Sequence, residues 1–149
     1  MEAFKVKGGK KLSGTIKPQG AKNEALQVIS AVLLTEEKVI IDNIPNIIDV
    51  NRLIDLLKCM GVSIEKINEH KYSFEASSIN LDYLNTKDFE EKAKGLRGSI
   101  MIIGPLLSRF GHASIPKPGG DKIGRRKLDT HFEGLVKLGA KFQYDKDNY

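Results

Sequence analysis

Asn23-Glu24-Ala25-Leu26-Gln27-Val28-Ile29-Ser30-Ala31-Val32-Leu33-Leu34 is the stretch on which the fold of this 149-residue chain turns. Wound as a helix, it leaves only Gln27 and Ser30 polar from Ala25 onward. A helix that is apolar on every side predicts burial all round. Residues 97–107 repeat the pattern with Ile100, Met101, Ile102, Ile103, Leu106 and Leu107. The Gly104-Pro105 pair inside that second segment predicts a kink or the end of its first half.

Two other segments carry a single stripe. Val50, Leu53, Ile54 and Leu57 follow i, i+3, i+4, i+7 spacing, with Asp49 placed as an N-cap, and Leu128, Phe132, Leu135 and Val136 make another. Each predicts a helix with one face in water. After each comes a glycine and a strand-like run, at residues 61–65 and 139–143. Further strands are expected at 38–43, 62–67, 71–76 and 112–115, with Asn68-Glu69-His70 as a hairpin turn. Buried helix, strand, striped helix, strand thus occurs twice, which predicts an α/β fold of repeated units with helices inside and sheets outside. The first unit closes with a hairpin. Residues 145–149 come before the second could do the same, so the expected second unit is truncated.

Composition bounds the function. Hydrophobic residues make up 40% and charged residues 29% of the chain, the balance of a globular protein rather than a disordered one. No stretch reaches the roughly 20 apolar residues that span a bilayer, and Met1-Glu2-Ala3-Phe4-Lys5 lacks the basic-then-apolar order of a signal peptide. The expectation is a cytoplasmic protein with no membrane partner. Cys59 is the single cysteine and cannot form an internal disulfide; it falls away from the Val50 stripe and reads as an incidental thiol. His70, His112 and His131 have no ligand spacing, so no metal site is expected. His131 reads either as a hydrogen-bonding partner of a ligand or as a plain surface residue.

Position interprets the net charge of +5. Lys5, Lys7, Lys10 and Lys11 are diffuse, and residues 87–94 alternate with acids as a solvated face does. Only Lys122, Arg125, Arg126 and Lys127 are both dense and flanked by glycines, in Pro118-Gly119-Gly120-Asp121-Lys122-Ile123-Gly124-Arg125-Arg126-Lys127-Leu128-Asp129. Glycines let a ligand approach the main chain, and arginine offers a planar fork to phosphate oxygens. A second turn, Gly20-Ala21-Lys22-Asn23, opens the apolar helix and sets an ammonium beside free backbone N–H groups. The two together suit a phosphorylated substrate.

With Leu96-Arg97-Gly98-Ser99-Ile100 and Gly104-Pro105-Leu106-Leu107, these two loops resemble, in order, the N-terminal part of the enolpyruvyl transferase family. The resemblance covers nearly the whole chain. It implies two domains, each of three repeated units built as an inside-out α/β barrel, so residues 19–149 are expected to be an incomplete first domain. Residues 1–18, with strands near 4–7 and 12–17, are expected to belong with a missing second domain. The implied reaction moves the enolpyruvyl group of phosphoenolpyruvate to the 3′-hydroxyl of UDP-N-acetylglucosamine and releases phosphate, the committed step of peptidoglycan synthesis. It proceeds by addition and then elimination, with no cofactor.

Carried over by motif, Lys22, Asn23 and Arg126 hold phosphoenolpyruvate, and Arg97, Arg126, Lys127, Leu128, Asp129 and Thr130 hold the nucleotide sugar. Arg97 has a structural alternative, an ion pair with a carboxylate such as Asp49. Asp121 matches the proton donor. The family more often has cysteine there, the residue that fosfomycin alkylates, and aspartate occurs in some members. A carboxyl whose pKa is ordinarily near 3.9 is half protonated at neutral pH only after an upward move worth roughly 4 kcal/mol. Crowding by substrate anions and exclusion of water would supply it. Family members also draw an aspartate base and a further arginine from the second domain, so this chain by itself is expected to be inactive.

Two alternatives stand beside this reading. One is the related transferase acting on shikimate 3-phosphate. The other is a basic nucleic-acid module, which predicts steep salt dependence and is disfavoured by the scarcity of aromatic residues near the basic run.

Overall fold

The apolar helix forms at the glycine turn. In the computed structural model, which describes residues 3–117 and 128–143, α1 spans Lys22–Ala31 and tightens into a 3₁₀ turn over Val32–Leu34. Ala21 is extended, and its carbonyl accepts the first helical bond from the Ala25 N–H at 3.0 Å. Ala25, Leu26, Ile29, Val32 and Leu33 are buried, and the buried Ser30 hydroxyl donates to the Leu26 carbonyl at 2.8 Å. Burial is not complete, however. Val28 is 43% and Leu34 52% exposed, because residues 48–59, 97–102 and 103–110 cover only one side of this helix and its 3₁₀ extension.

The first unit matches its expected order. It comprises β1 (Val39–Ile41), α2 (Ile48–Cys59), β2 (Ser63–Asn68) and β3 (Lys71–Glu75), with the strands antiparallel in the order β1-β3-β2. Val39 pairs with Phe74, Ile64 also pairs with Phe74, and the β2–β3 turn narrows to Glu69-His70. His70 Nδ1 lies 3.0 Å from the Ile44 carbonyl; a carbonyl only accepts, so Nδ1 carries the hydrogen. The Ile44 N–H returns a bond to the His70 carbonyl at 2.8 Å. His70 is a turn lock.

The α2 stripe holds, since Val50, Leu53 and Leu57 are fully buried and Leu56 joins them. Asp49 does not cap this helix. Ile47 occupies the N-cap without a side-chain bond, and Asp49 lies inside the first turn, where a carboxylate favours the positive end of the helix. Gly61, at φ 101, turns the chain from α2 toward β2. Phe74 of β3 points into the core while most of β2 is exposed. The helices are therefore inside and the sheet outside.

Residues 87–94 are more than a solvated face. They form α3 (Lys87–Lys94), preceded by a 3₁₀ turn over Leu81–Asn85 and capped by Thr86, whose hydroxyl accepts the Phe89 N–H at 3.2 Å. Lys92 pairs with Asp88 and Lys94 with Glu90 on the wet side, while Phe89 and Ala93 are buried. The Tyr83 hydroxyl donates to Asp88. Loss of solvent, and then that bond, raise the Tyr83 pKa well above its ordinary value. The Lys92 hydrogen bond, followed by that from Tyr83, lowers the pKa of Asp88.

These directions fix two limbs of a pH profile. Tyr83 holds its proton more tightly in the folded chain, so its contribution is complete below about pH 10 and lost as pH climbs further. Asp88 contributes fully above about pH 4 and loses that contribution as pH falls. Urea midpoints measured across pH are expected to flatten on the alkaline limb in Tyr83→Phe and on the acid limb in Asp88→Asn; unchanged slopes would contradict the assignment.

The second apolar segment is two helices. Residues Arg97–Ile102 form a 3₁₀ turn and α4 runs Ile103–Phe110, ending at Gly111 with φ 69. Pro105 neither kinks nor ends it. As the third residue of α4 it lacks an N–H that would have had no partner within the helix. Gly104-Pro105 therefore marks the change of helix type.

The expected strand at 112–115 is absent. Those residues form no ladder, Ile115 is buried, and Pro116 makes a single bridge. α5 (Asp129–Lys137) follows, with Phe132 and Leu135 half-buried, no residue fully buried, and Val136 half exposed. Residues 140–143 likewise form no strand, and neither do residues 3–19. Phe4, Val6, Leu12 and Ile16 are 89–99% exposed.

Candidate active site

Contact with the loop after β1 fixes the turn before α1. A methyl group built on Gly20 would lie 1.9 Å from the Asn43 carbonyl oxygen and 3.1 Å from Pro45 Cδ, so only hydrogen fits. Asn43 is in the left-handed region at φ 57, and its N–H donates to Asp42 Oδ1 at 2.7 Å. Gly20 therefore serves close approach rather than a special φ. Lys22 and Asn23 follow as the first two residues of α1, both exposed.

The Lys22 ammonium lies 2.9 Å from Asp49 Oδ2, joining the first turns of α1 and α2 in a pair whose side chains are 43% and 38% exposed. Sequence reasoning missed this partner. It offered Asp49 as an N-cap or as a counter-ion for Arg97, and a contact across 27 residues leaves no local signal. Arg97, half-buried, opens the 3₁₀ turn that packs on α1. A methyl at Gly98 would lie 3.0 Å from Leu26 Cδ1, so glycine lets this main chain sit one turn beyond Lys22 and Asn23.

Leu128 is half-buried and precedes α5; Asp129 and Thr130 are its first residues and are exposed. Thr130 and His131 border a groove of about 360 Å³ whose opposite wall is Ile100, Met101 and Gly104. The structure thus sets Thr130 close to the segment that Arg97 opens. Asp121, Lys122, Arg125, Arg126 and Lys127 lie outside the described residues. Cys59 is exposed at the end of α2. Among the described residues no group of three or more His, Cys, Asp or Glu could hold a metal ion, and no helix is long and apolar enough to cross a membrane.

A close-packed glycine turn, an ammonium at a helix start and an arginine on the neighbouring segment thus stand on an α/β scaffold with its helices inside. The chain belongs to the EPSP synthase (3-phosphoshikimate 1-carboxyvinyltransferase) family, which it matches over residues 6–149. Over 147 residues it is similar to the UDP-N-acetylglucosamine 1-carboxyvinyltransferases of Bacteroides fragilis at 55% identity, Porphyromonas gingivalis at 54% and Treponema denticola at 41%. Each match covers 99% of this chain and 34% of the relative. The chain therefore spans about a third of the length of these curated relatives. The fold is similar to that of the enolpyruvyl transferase NikO from Streptomyces tendae, with a TM-score of 0.73 at 18% identity over 95% of this chain and 30% of that one.

Proposed function

We propose that this chain is the N-terminal part of a cytoplasmic enzyme that transfers the enolpyruvyl group of phosphoenolpyruvate to the 3′-hydroxyl of UDP-N-acetylglucosamine, in peptidoglycan synthesis. The observation that carries the reading is the name shared by relatives 54–55% identical over nearly all of this chain. That same identity favours the nucleotide sugar over shikimate 3-phosphate as acceptor. Residues 19–149 are then part of a first domain, and residues 1–18, of which 3–18 are exposed and form no strand here, belong with a second.

In the addition step the 3′-hydroxyl gives its proton to the base of the second domain as its oxygen bonds to C2 of phosphoenolpyruvate, while the methylene carbon takes a proton from Asp121 and leaves it as a carboxylate. In the elimination step that carbon returns a proton to the Asp121 carboxylate, the bond between C2 and the phosphate oxygen breaks, and phosphate leaves with the proton held by the second-domain base. Lys22 and Arg126 balance charge on the phosphate. Asn23 sits beside the reacting groups, and Arg97 with residues 127–130 holds the nucleotide sugar. This division of labour leaves the chain alone able to bind but not to turn over.

Calorimetric titration is expected to register UDP-N-acetylglucosamine and not shikimate 3-phosphate or duplex DNA; the reverse preference would overturn the reading. Steady phosphate release by the chain alone would overturn the two-domain division. In the enzyme completed with the remaining two-thirds of its length, fosfomycin is expected to cause no time-dependent inactivation, and Asp121→Cys is expected to restore it. Inactivation of the natural form would remove Asp121 from the donor role.

A further inference from the structure

Lys22 is the residue on which the proposed phosphate site depends, yet its ammonium already has an anion at 2.9 Å in Asp49. We infer that Asp49 competes with phosphate for Lys22, and so sets how strongly a ligand must be charged to enter the site. This rests on the enolpyruvyl transfer reading above, and it assigns a role to a residue that neither the sequence motifs nor the relatives' names single out.

Three observations carry it. The pair is formed between two exposed side chains, and ion pairs of this kind are held weakly enough to exchange. An ammonium has three donors, but a phosphate sharing Nζ with Asp49 would lie within the screening distance of about 8 Å from the carboxylate, where like charges still repel. Finally, Asp49 is anchored. It belongs to the first turn of α2, with the fully buried Val50 beside it, so the carboxylate stays while the long lysine side chain moves. A phosphate dianion outcompetes a single carboxylate for the ammonium. A ligand offering only a carboxylate does not.

The test is a titration of the ¹⁵N-labelled chain with phosphoenolpyruvate at constant ionic strength, following the Lys22 and Asn23 amides. Asp49→Asn is expected to bind about two- to fivefold more tightly than the natural chain, with amides remote from the site unmoved. Asp49→Glu, which keeps the charge, is expected to bind as the natural chain does. A residue needed only for folding would lose affinity on substitution rather than gain it. Asp49→Ser carries the same expected gain if the asparagine variant does not fold. Binding by the natural chain with no gain, or a loss, in the neutral variants overturns the competition and leaves the transferase reading standing. Failure of the natural chain and of all variants to bind overturns the phosphate site itself, and the role of Asp49 with it.

Discussion

Gly20→Ala is expected to cost about 3 kcal/mol of stability, at the upper end of what overpacking does, and to weaken the phosphoenolpyruvate binding proposed at Lys22. The added methyl would sit 1.9 Å from a backbone oxygen rather than from the flexible end of a side chain. That oxygen cannot retreat. Asn43 is followed by Ile44, which is 3% exposed and tied to His70 through both its N–H and its carbonyl, and then by the buried Pro45. The turn carrying Gly20 must move instead, taking with it the first turn of α1 and the Lys22–Asp49 pair. Urea denaturation and the amide titration together read the effect. A variant with natural midpoint and natural affinity would show that the two loops are not in contact in solution.

Arg109→Ala is expected to cost about 2–4 kcal/mol, since hydrogen bonds from a charged donor are worth roughly 1.5–3 kcal/mol each and those made here share one nitrogen. Nη1 lies 3.1 Å from the Leu33 carbonyl, 3.2 Å from that of Thr35 and 2.8 Å from that of Ala76. One guanidinium therefore ties α4 to the end of the first helical segment and to the chain leaving β3. The side chain is only 14% exposed, so water replaces it poorly. For a domain with about 5–15 kcal/mol in total, the loss is large. Arg109→Lys is expected to recover part of it, because an ammonium lacks the planar reach of the fork. Glu36→Gln is expected to change little, because Glu36 pairs with Arg109 from a position 74% exposed. An Arg109→Ala variant with an unchanged urea midpoint would rule out the clamp.

The first unit was legible because its signals are local. Val50, Leu53 and Leu57 buried as their spacing required, the hairpin turned where Asn68-Glu69-His70 placed it, and the Gly20-Ala21 turn opened α1. Misreadings arose where an element depends on a neighbour. Residues 112–115 and 139–143 have strand composition, but a strand forms only when another takes its hydrogen bonds. Val28 and Leu34 are apolar, yet composition alone does not say whether anything covers them. The charges of residues 87–94 masked a helix whose apolar contribution is only Phe89 and Ala93.

At the site the division is sharper. Residue type and order alone pointed to Lys22 and the 118–129 loop as phosphate chemistry, because glycines beside cations suit an anion, whereas the roles expected of Asn23 and Arg97 came only with the family resemblance. Only the tertiary structure decided that Asp49 faces Lys22, that Asn43 excludes a side chain at Gly20, and that Arg109 gathers carbonyls from residues more than 30 positions away. Each is a contact between segments distant in the chain. Such contacts are set by how the helices pack, and the spacing of residues along one segment carries no record of them.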